Sequence, residues 1–222
     1  MTSHVIEVAG QTLHLLPDKA VYLSAFKSLL VADVHLGKAE TFQSLGIPIA
    51  TQINDETIQR LQHLCRQWDP QQLFILGDLF HAEQALTPEV LSAWTDFLRA
   101  NPAQTTLIVG NHDRRLVSAL DELPMRCQVE AVTLGSLLLS HQPVADHGAG
   151  LNVCGHVHPV VRLQSKLDHL RLPCFYLDTT QKQLTLPSFG AFTGGYEVLL
   201  QAGTAAYISV EDTVIPLEDI CL

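Results

Sequence analysis

Thr105-Thr106-Leu107-Ile108-Val109-Gly110-Asn111-His112-Asp113 is a short apolar run that stops on a glycine. It then presents an amide, an imidazole and a carboxylate in consecutive positions. Arg114 and Arg115 follow, and then Leu116, Val117 and Leu120 in a helix-like rhythm. Such an ending is a poor way to finish a core strand. It is a good way to place polar side chains at the carboxyl edge of a sheet, where open α/β folds put their sites. The block therefore predicts a buried strand whose end carries chemistry.

Working outward, the same pattern recurs. Residues 29–32 are apolar and stop at Asp33-Val34-His35-Leu36-Gly37, and residues 73–76 stop at Gly77-Asp78-Leu79-Phe80-His81. Between these runs lie helical patterns. Residues 38–45 form a short one, closed by Gly46 and Pro48. Ile58, Leu61, Leu64, Cys65 and Trp68 mark a second, with Thr51 or Asn54 as its cap. Thr87-Pro88-Glu89 opens a third with proline at its first position, and its apolar face is Val90, Leu91, Trp94, Phe97 and Leu98. Strand alternating with crossover helix implies a parallel sheet with helices packed on it. Residues 5–8, 12–16 and 21–23 read as short strands before it, with turns at Ala9-Gly10 and Pro17-Asp18. The second half reads as strands at 128–132, 137–139, 151–153, 160–163, 175–177, 183–186, 197–200, 206–210 and 214–215, with few helices between. That implies a second sheet face to face with the first. No repeat or domain boundary is visible, so residues 1–222 are expected to form a single domain.

Composition narrows the function. At 47% hydrophobic and 16% charged, the chain is not disordered. A formal charge of −10 argues against a broad grip on nucleic-acid phosphates, though bound divalent metals are outside that count. Five scattered cysteines, none in a C-x-x-C pair, read as reduced thiols in a cytoplasmic protein. Residues 1–16 do not resemble a signal peptide, and no apolar run approaches the ~20 residues of a membrane span.

Five polar clusters remain: Asp33-x-His35, Gly77-Asp78-x-x-His81, Gly110-Asn111-His112-Asp113, Ser140-His141 and Gly155-His156-Val157-His158. Each ends an apolar run. If those runs are neighbouring strands, their ends meet in one pocket of carboxylates, an amide and imidazoles. Mixed carboxylate and imidazole ligands suit Mn, Fe or Zn, and the lack of cysteine argues against a structural zinc cluster. Alternate residues of an extended segment project the same way, so Asp33 with His35, and His156 with His158, can share one ion or address adjacent ions. So many candidate ligands fit two ions better than one, which requires a bridging carboxylate; Asp78 is the best candidate. Metals ~3.5–4 Å apart clamp a phosphoryl centre and activate water.

In order and spacing the five blocks resemble the calcineurin-like metallophosphoesterases. Residues 32–38, Pro159 and the Leu186-Pro187-Ser188-Phe189-Gly190-Ala191-Phe192-Thr193-Gly194-Gly195 block look like the DNA-ligase-associated subfamily. The resemblance implies a four-layer α/β/β/α sandwich of two mixed sheets. It implies two divalent metals, most commonly Mn, with Fe, Zn or Ni tolerated. Asp33, His35, His158 and bridging Asp78 would hold one, and Asp78, Asn111, His141 and His156 the other. A hydroxide bridging the metals would be the nucleophile. His112 would then protonate the leaving oxygen, with His81 as its supporting partner. His81 stands where many phosphatases of the superfamily have Asp, which leans toward diesters. The implied activity is a phosphodiesterase, a DNA endonuclease or other nuclease linked to repair, in functional association with a DNA ligase and helicase.

Blander readings stand beside these. Lys38, Arg114, Arg115 and Arg162 could bind flanking phosphates or simply solvate a surface. His147 reads as a loop residue at the rim, and His4, His14, His63 and His169 as surface residues. The 190–195 loop either walls the pocket or is a tight turn. For function, hydrolysis of nucleotides or cyclic nucleotides is the alternative to DNA, favoured by the acidic surface. A non-catalytic metal-binding interaction module ranks below both, because no ligand is missing.

Overall fold

The computed structural model describes residues 2–47, 49, 52–148, 150–164, 169–191 and 193–217. The first sheet has seven strands in chain order: β1 (His4–Val8), β2 (Gln11–Leu16), β3 (Ala20–Leu23), β4 (Ser28–Val31), β5 (Gln72–Leu76), β6 (Gln104–Ile108) and β7 (Arg126–Gln128). Strands β1 to β4 pair antiparallel through tight turns, and β4 to β7 pair parallel. The crossovers carry α1 (Lys38–Ser44), α2 (Gln52–Trp68), α3 (Pro88–Ala100) and the single-turn α4 (Val117–Leu120). The second sheet has nine strands: β8 (Val132–Leu134), β9 (Leu137–Leu139), β10 (Leu151–Cys154), β11 (Pro159–Gln164), β12 (His169–Asp178), β13 (Gln183–Thr185), β14 (Tyr196–Glu197), β15 (Thr204–Val210) and β16 (Thr213–Leu217). In it β9, β10 and β13 run parallel, and the long β12 pairs antiparallel with β11, β13 and β15.

Strand alternation explains the layers. Leu29, Val31, Leu73, Ile75 and Leu107 point to the helices and pack with Leu61, Leu64, Trp94 and Phe97. Their neighbours Leu30, Phe74, Leu76 and Ile108 point the other way, onto Leu137, Leu139, Leu151, Val153, Phe175 and Leu184 of the second sheet. Because both faces are covered, β4 is buried throughout and reads as an unbroken apolar run. The sandwich of two mixed sheets is thus the calcineurin-like architecture expected. The outer face of the second sheet carries a smaller cluster, Val161, Cys174, Ala206 and Ile208, beneath Val198 and Leu200.

Several local expectations are corrected. The strand expected at 128–132 is two strands, β7 and β8, belonging to different sheets. The strand expected at 197–200 shrinks to Tyr196–Glu197. Thr87 does cap α3, its hydroxyl accepting from the Val90 N–H. Asn54 caps nothing: α2 has already begun at Gln52, and Asn54 is buried with a different task. Thr51 lies outside the described residues. Cys65, Cys127, Cys154 and Cys174 are free thiols, and burial pushes Cys65, Cys154 and Cys174 up to about 12, so they pack as small hydrophobes. Cys221 lies outside the described residues. Among the described residues no helix is long and apolar enough to cross a membrane.

Trp94 is fully buried between α3 and the sheet and stacks on Phe97 at 4.9 Å. Trp94→Ala is expected to cost roughly 3–5 kcal/mol, seen as a lower urea midpoint at unchanged slope. An unmoved midpoint would show that the helical layer contributes little to folding.

Candidate active site

The carboxyl ends of β4, β5 and β6 meet those of β9 and β10. The loop after β4 brings Asp33 and His35; the loop after β5, Asp78 and His81; the loop after β6, Asn111 and His112. The second sheet adds His141 after β9, and His156 and His158 after β10. Parallel pairing persists past the strand ends: Asp33 N–H donates to Gly77 O at 3.1 Å, His35 N–H to Asp78 O at 3.0 Å and Leu36 N–H to Leu79 O at 2.8 Å. The polar residues do not alternate along extended chain, however. Asp33, His35, Asp78, His156 and His158 have φ of 55°, 51°, 51°, 68° and 51°. Asp33 and His35 are brought together by left-handed turns at each, a conformation that costs energy outside glycine and persists only where the surroundings enforce it.

The side chains fall into overlapping groups whose donor atoms lie within 4.8 Å of one another: Asp33, His35 and His158; Asp78, His141 and His156; and His35, Asp78 and His112. His156 and His158 therefore serve different groups. Asn111 joins the second, its Oδ1 2.8 Å from His141 Nε2.

The donor set fits divalent cations. His141 Nδ1 lies 3.0 Å from Leu76 O, so its N–H donates there and Nε2 keeps a lone pair. That lone pair faces Asn111 Oδ1, His156 Nδ1 at 3.1 Å and Asp78 Oδ2 at 3.5 Å. His158 likewise donates from Nδ1 to Gly194 O at 3.1 Å. Its Nε2 and Asp33 Oδ1, 3.3 Å apart, are both buried without a hydrogen-bond partner. Acceptors facing acceptors at such distances are what a cation resolves. Burial, with His158, His81 and His112 nearby, lowers His35 to about 2, and burial with His141 nearby lowers His156. Both are thus neutral, as ligands must be. Burial alone would lower His158 too, but the Asp33 carboxylate outweighs it and holds that ring up.

A second tier of residues holds the loops, and most were not legible in the sequence. Asp113, fully buried, accepts from Gly110 N–H at 3.0 Å, Phe80 N–H at 3.2 Å and Leu79 N–H at 3.3 Å, tying the β5 loop to the β6 loop. Burial pushes its carboxyl up to about 6, against the pull of those three donors. Asn54 accepts from Gly37 N–H at 2.9 Å and donates to Glu40, fixing the end of the β4 loop. Asn152 donates to Ser140 Oγ and Leu138 O and accepts from Val144 N–H, framing His141. Ser188 Oγ donates to Asp33 O at 2.8 Å, and Gly190 N–H to the same oxygen at 3.0 Å. The 190–195 loop is therefore a wall of the site, with Phe192 outside the described residues. Only glycine fits at 110 and 155, where a Cβ would run into the carboxylates of Asp78 and Asp33.

His112 stands at the mouth, its side chain 38% exposed. Its N–H donates to Asp78 Oδ1 at 2.9 Å, and its Nδ1 donates to His81 O at 2.6 Å, leaving Nε2 turned toward Asp78 Oδ2 at 3.9 Å. His81 supports it through this backbone carbonyl and by ring stacking, at 5.3 Å and 19°; Phe42 stacks on the other side of His81. Burial, then Lys38 and His112, lower His81 to about 4. Arg115 lines a cavity of about 360 Å³ with His81, Asn111 and His112. Lys38 lies near enough to depress His81 and His35. Arg114 is exposed and Arg162 is on β11; neither belongs to a ligand group. His147 pairs with Gln181 O at 3.4 Å, outside the groups. His14 is not a plain surface residue, since it packs against Tyr22 and Trp68.

Asp113→Ala strands three N–H groups and frees both loops. It is expected to lower metal affinity by about 10–100-fold, measured by titration calorimetry with Mn; unchanged affinity would show that the loops hold without it. Loading Mn is expected to raise the thermal midpoint progressively with concentration, and a chelator to reverse it. A midpoint indifferent to metal would contradict the fit of the donor set.

Comparisons with known proteins agree with this geometry. A crystal structure of Pseudomonas putida nuclease MPE superimposes with a TM-score of 0.83 at 38% identity, covering 97% of this chain and 100% of that one. An Escherichia coli phosphoesterase, Yfce, gives a TM-score of 0.46 at 16% identity over 86% of this chain and 97% of that one, too slight to argue from. No curated protein matches. The family model of the calcineurin-like phosphoesterases matches residues 26–149. The chain belongs to the calcineurin-like phosphoesterases and is a metal-dependent phosphoesterase.

Proposed function

We propose that residues 1–222 act as one domain, a two-metal phosphodiesterase that cleaves DNA. The observation that carries this reading is the placement of His112. Its Nδ1–H is committed to His81 O, and its Nε2 is free above Asp78 at the mouth of the site. Asp33, His35, Asp78 and His158 would hold one cation, and Asp78, Asn111, His141 and His156 the other. Mn suits this mixed nitrogen and oxygen set. Divalent cations bound there supply Lewis-acid activation of water and of the phosphoryl oxygens.

The chain's own residues supply the rest. His112 keeps its Nδ1–H on the His81 carbonyl, which orients the ring so that Nε2 can deliver a proton to the leaving oxygen. His81 keeps that ring in place by stacking, and Arg115 and Lys38 offer charge to phosphates beside the scissile one. The glycine loops keep the two buried carboxylates close to the reacting group.

A DNA substrate is supported by the likeness to a protein described as a nuclease. The residues 186–195 resemblance supports a repair setting alongside a ligase and helicase, in the cytoplasm. A second reading, hydrolysis of nucleotides or cyclic nucleotides, draws on the net charge of −10 and a cavity of about 360 Å³ beside His112, about right for a single nucleotide. The non-catalytic module loses its ground, since the chain belongs to a family of phosphoesterases.

His112→Ala is expected to lower kcat on an aryl phosphodiester by about 10²–10⁴-fold with metal content unchanged; an unchanged rate would overturn its role. A panel of aryl mono- and diesters, cyclic nucleotides and single- and double-stranded DNA, all with Mn, separates the two substrates. Only a DNA enzyme gains affinity with oligonucleotide length and loses it steeply with salt.

A further inference from the structure

Next to His158 lies a cavity of about 190 Å³ whose walls include Lys19, His158, Pro159, Ser188, Gly190 and Thr193. Lys19 comes from the turn between β2 and β3, far from the five motif blocks in sequence. It is held at φ 64°, a left-handed conformation that a lysine enters only at a cost. Its side chain is partly buried, and among the described residues no carboxylate comes within ion-pair distance of its ammonium.

A second cation stands close by. Arg60 donates to Phe189 O and lies 4.1 Å from the centroid of the Phe189 ring, so it clasps the segment that walls the cavity. Its Nε is buried without a partner. Arg60 and Lys19 repel one another, and Asp18, in the same turn as Lys19, offsets both. Lys19 is thus a cation partly removed from water on the wall of a cavity beside the ligand groups, in a chain that is acidic overall. A cation placed as Lys19 is favours an anion that enters the cavity.

We propose that this cavity is a subsite for a phosphate group adjoining the scissile one, and that Lys19 binds it. The inference rests on the phosphodiesterase reading above and sharpens it. His158 belongs both to a ligand group and to the cavity wall, so an anion seated there lies beside the reacting phosphoryl group. A single diester has no such second phosphate; a polynucleotide, or a dinucleotide with a terminal phosphate, does. Burial and the repulsion of Arg60 bring Lys19 to about 8, so it is still mostly charged at neutral pH, and a bound phosphate would hold its proton more firmly.

The test uses the Mn-loaded protein and three substrates: a dinucleotide with one internal diester, the same dinucleotide with a terminal phosphate, and a trinucleotide. For the unsubstituted protein, a second phosphate is expected to raise kcat/KM by about tenfold or more, the scale of a charge-assisted hydrogen bond. Lys19→Asn, which tolerates a left-handed turn, is expected to abolish that gain while leaving the plain dinucleotide within about twofold; Lys19→Arg should retain it. The terminal-phosphate and trinucleotide arms tell whether an end group or an internal phosphate fills the subsite. Metal content and thermal midpoint, measured on each variant, guard against a folding defect. A gain that survives in Lys19→Asn, or an equal loss on the plain dinucleotide, overturns the subsite. An unsubstituted protein that cleaves all three equally well overturns the subsite alone. One that cleaves none overturns the phosphodiesterase reading, and the subsite with it.

Discussion

Two carboxylates buried side by side, with no lysine or arginine to neutralise them, set the terms for the rest of this molecule. Asp33 and Asp78 are 0% and 2% exposed. Among the described residues only histidines come within ion-pair distance of them. Anions taken out of water without partners are strongly unfavourable. The fold meets part of that cost with backbone: His156 N–H donates to Asp33 and His112 N–H to Asp78. The remainder falls to cations from outside. The left-handed turns follow from the same demand, since carboxylates and imidazoles can converge on one point only if the chain bends sharply at each strand end.

Asp33 also explains why two sheets are needed. It belongs to the first sheet, yet its carboxylate accepts from the second sheet's β10 loop, and its carbonyl accepts from Ser188 and Gly190. His141 reaches the other way, donating to Leu76 O at the end of β5. The site is thus a seam between the sheets, closed from both sides. The family match ends at residue 149, but His156, His158 and the 188–194 wall lie beyond it. A first-sheet fragment would keep Asp33, His35, Asp78, Asn111 and His112 but lose His158 from one group and His141 and His156 from another.

The strand ends were legible because burial on both faces writes a parallel strand as an unbroken apolar run. A polar residue right after such a run can only be at the edge. That reasoning reached Asp33, Asp78, Asn111 and His141 from the letters alone. It failed where partners are tertiary. Asp113 is a clamp between loops that the letters do not reveal, because the three N–H groups it serves sit on segments whose closeness no local pattern encodes. Asn54 read as a helix cap and Asn152 carries no motif at all, and a buried asparagine's task is recognisable only once its neighbours are known. Residues 128–132 read as one strand because apolar rhythm alone cannot show a chain crossing from one sheet to the other.

Charge placement connects the two halves of the functional reading. The chain as a whole repels a polyanion, so substrate affinity has to be local. Lys38 and Arg115 stand on the His81–His112 side of the ligand groups, and Lys19 on the His158 side. Cations on both flanks of a site favour a substrate whose negative charge continues beyond the reacting phosphate, which a monoester lacks. The acidic remainder of the surface then limits non-specific adhesion, because screening confines each cation's pull to about 8–10 Å at physiological salt. For the DNA substrate proposed above, that short range would favour a strand threaded through the site over one lying across the surface, with no basic stripe required.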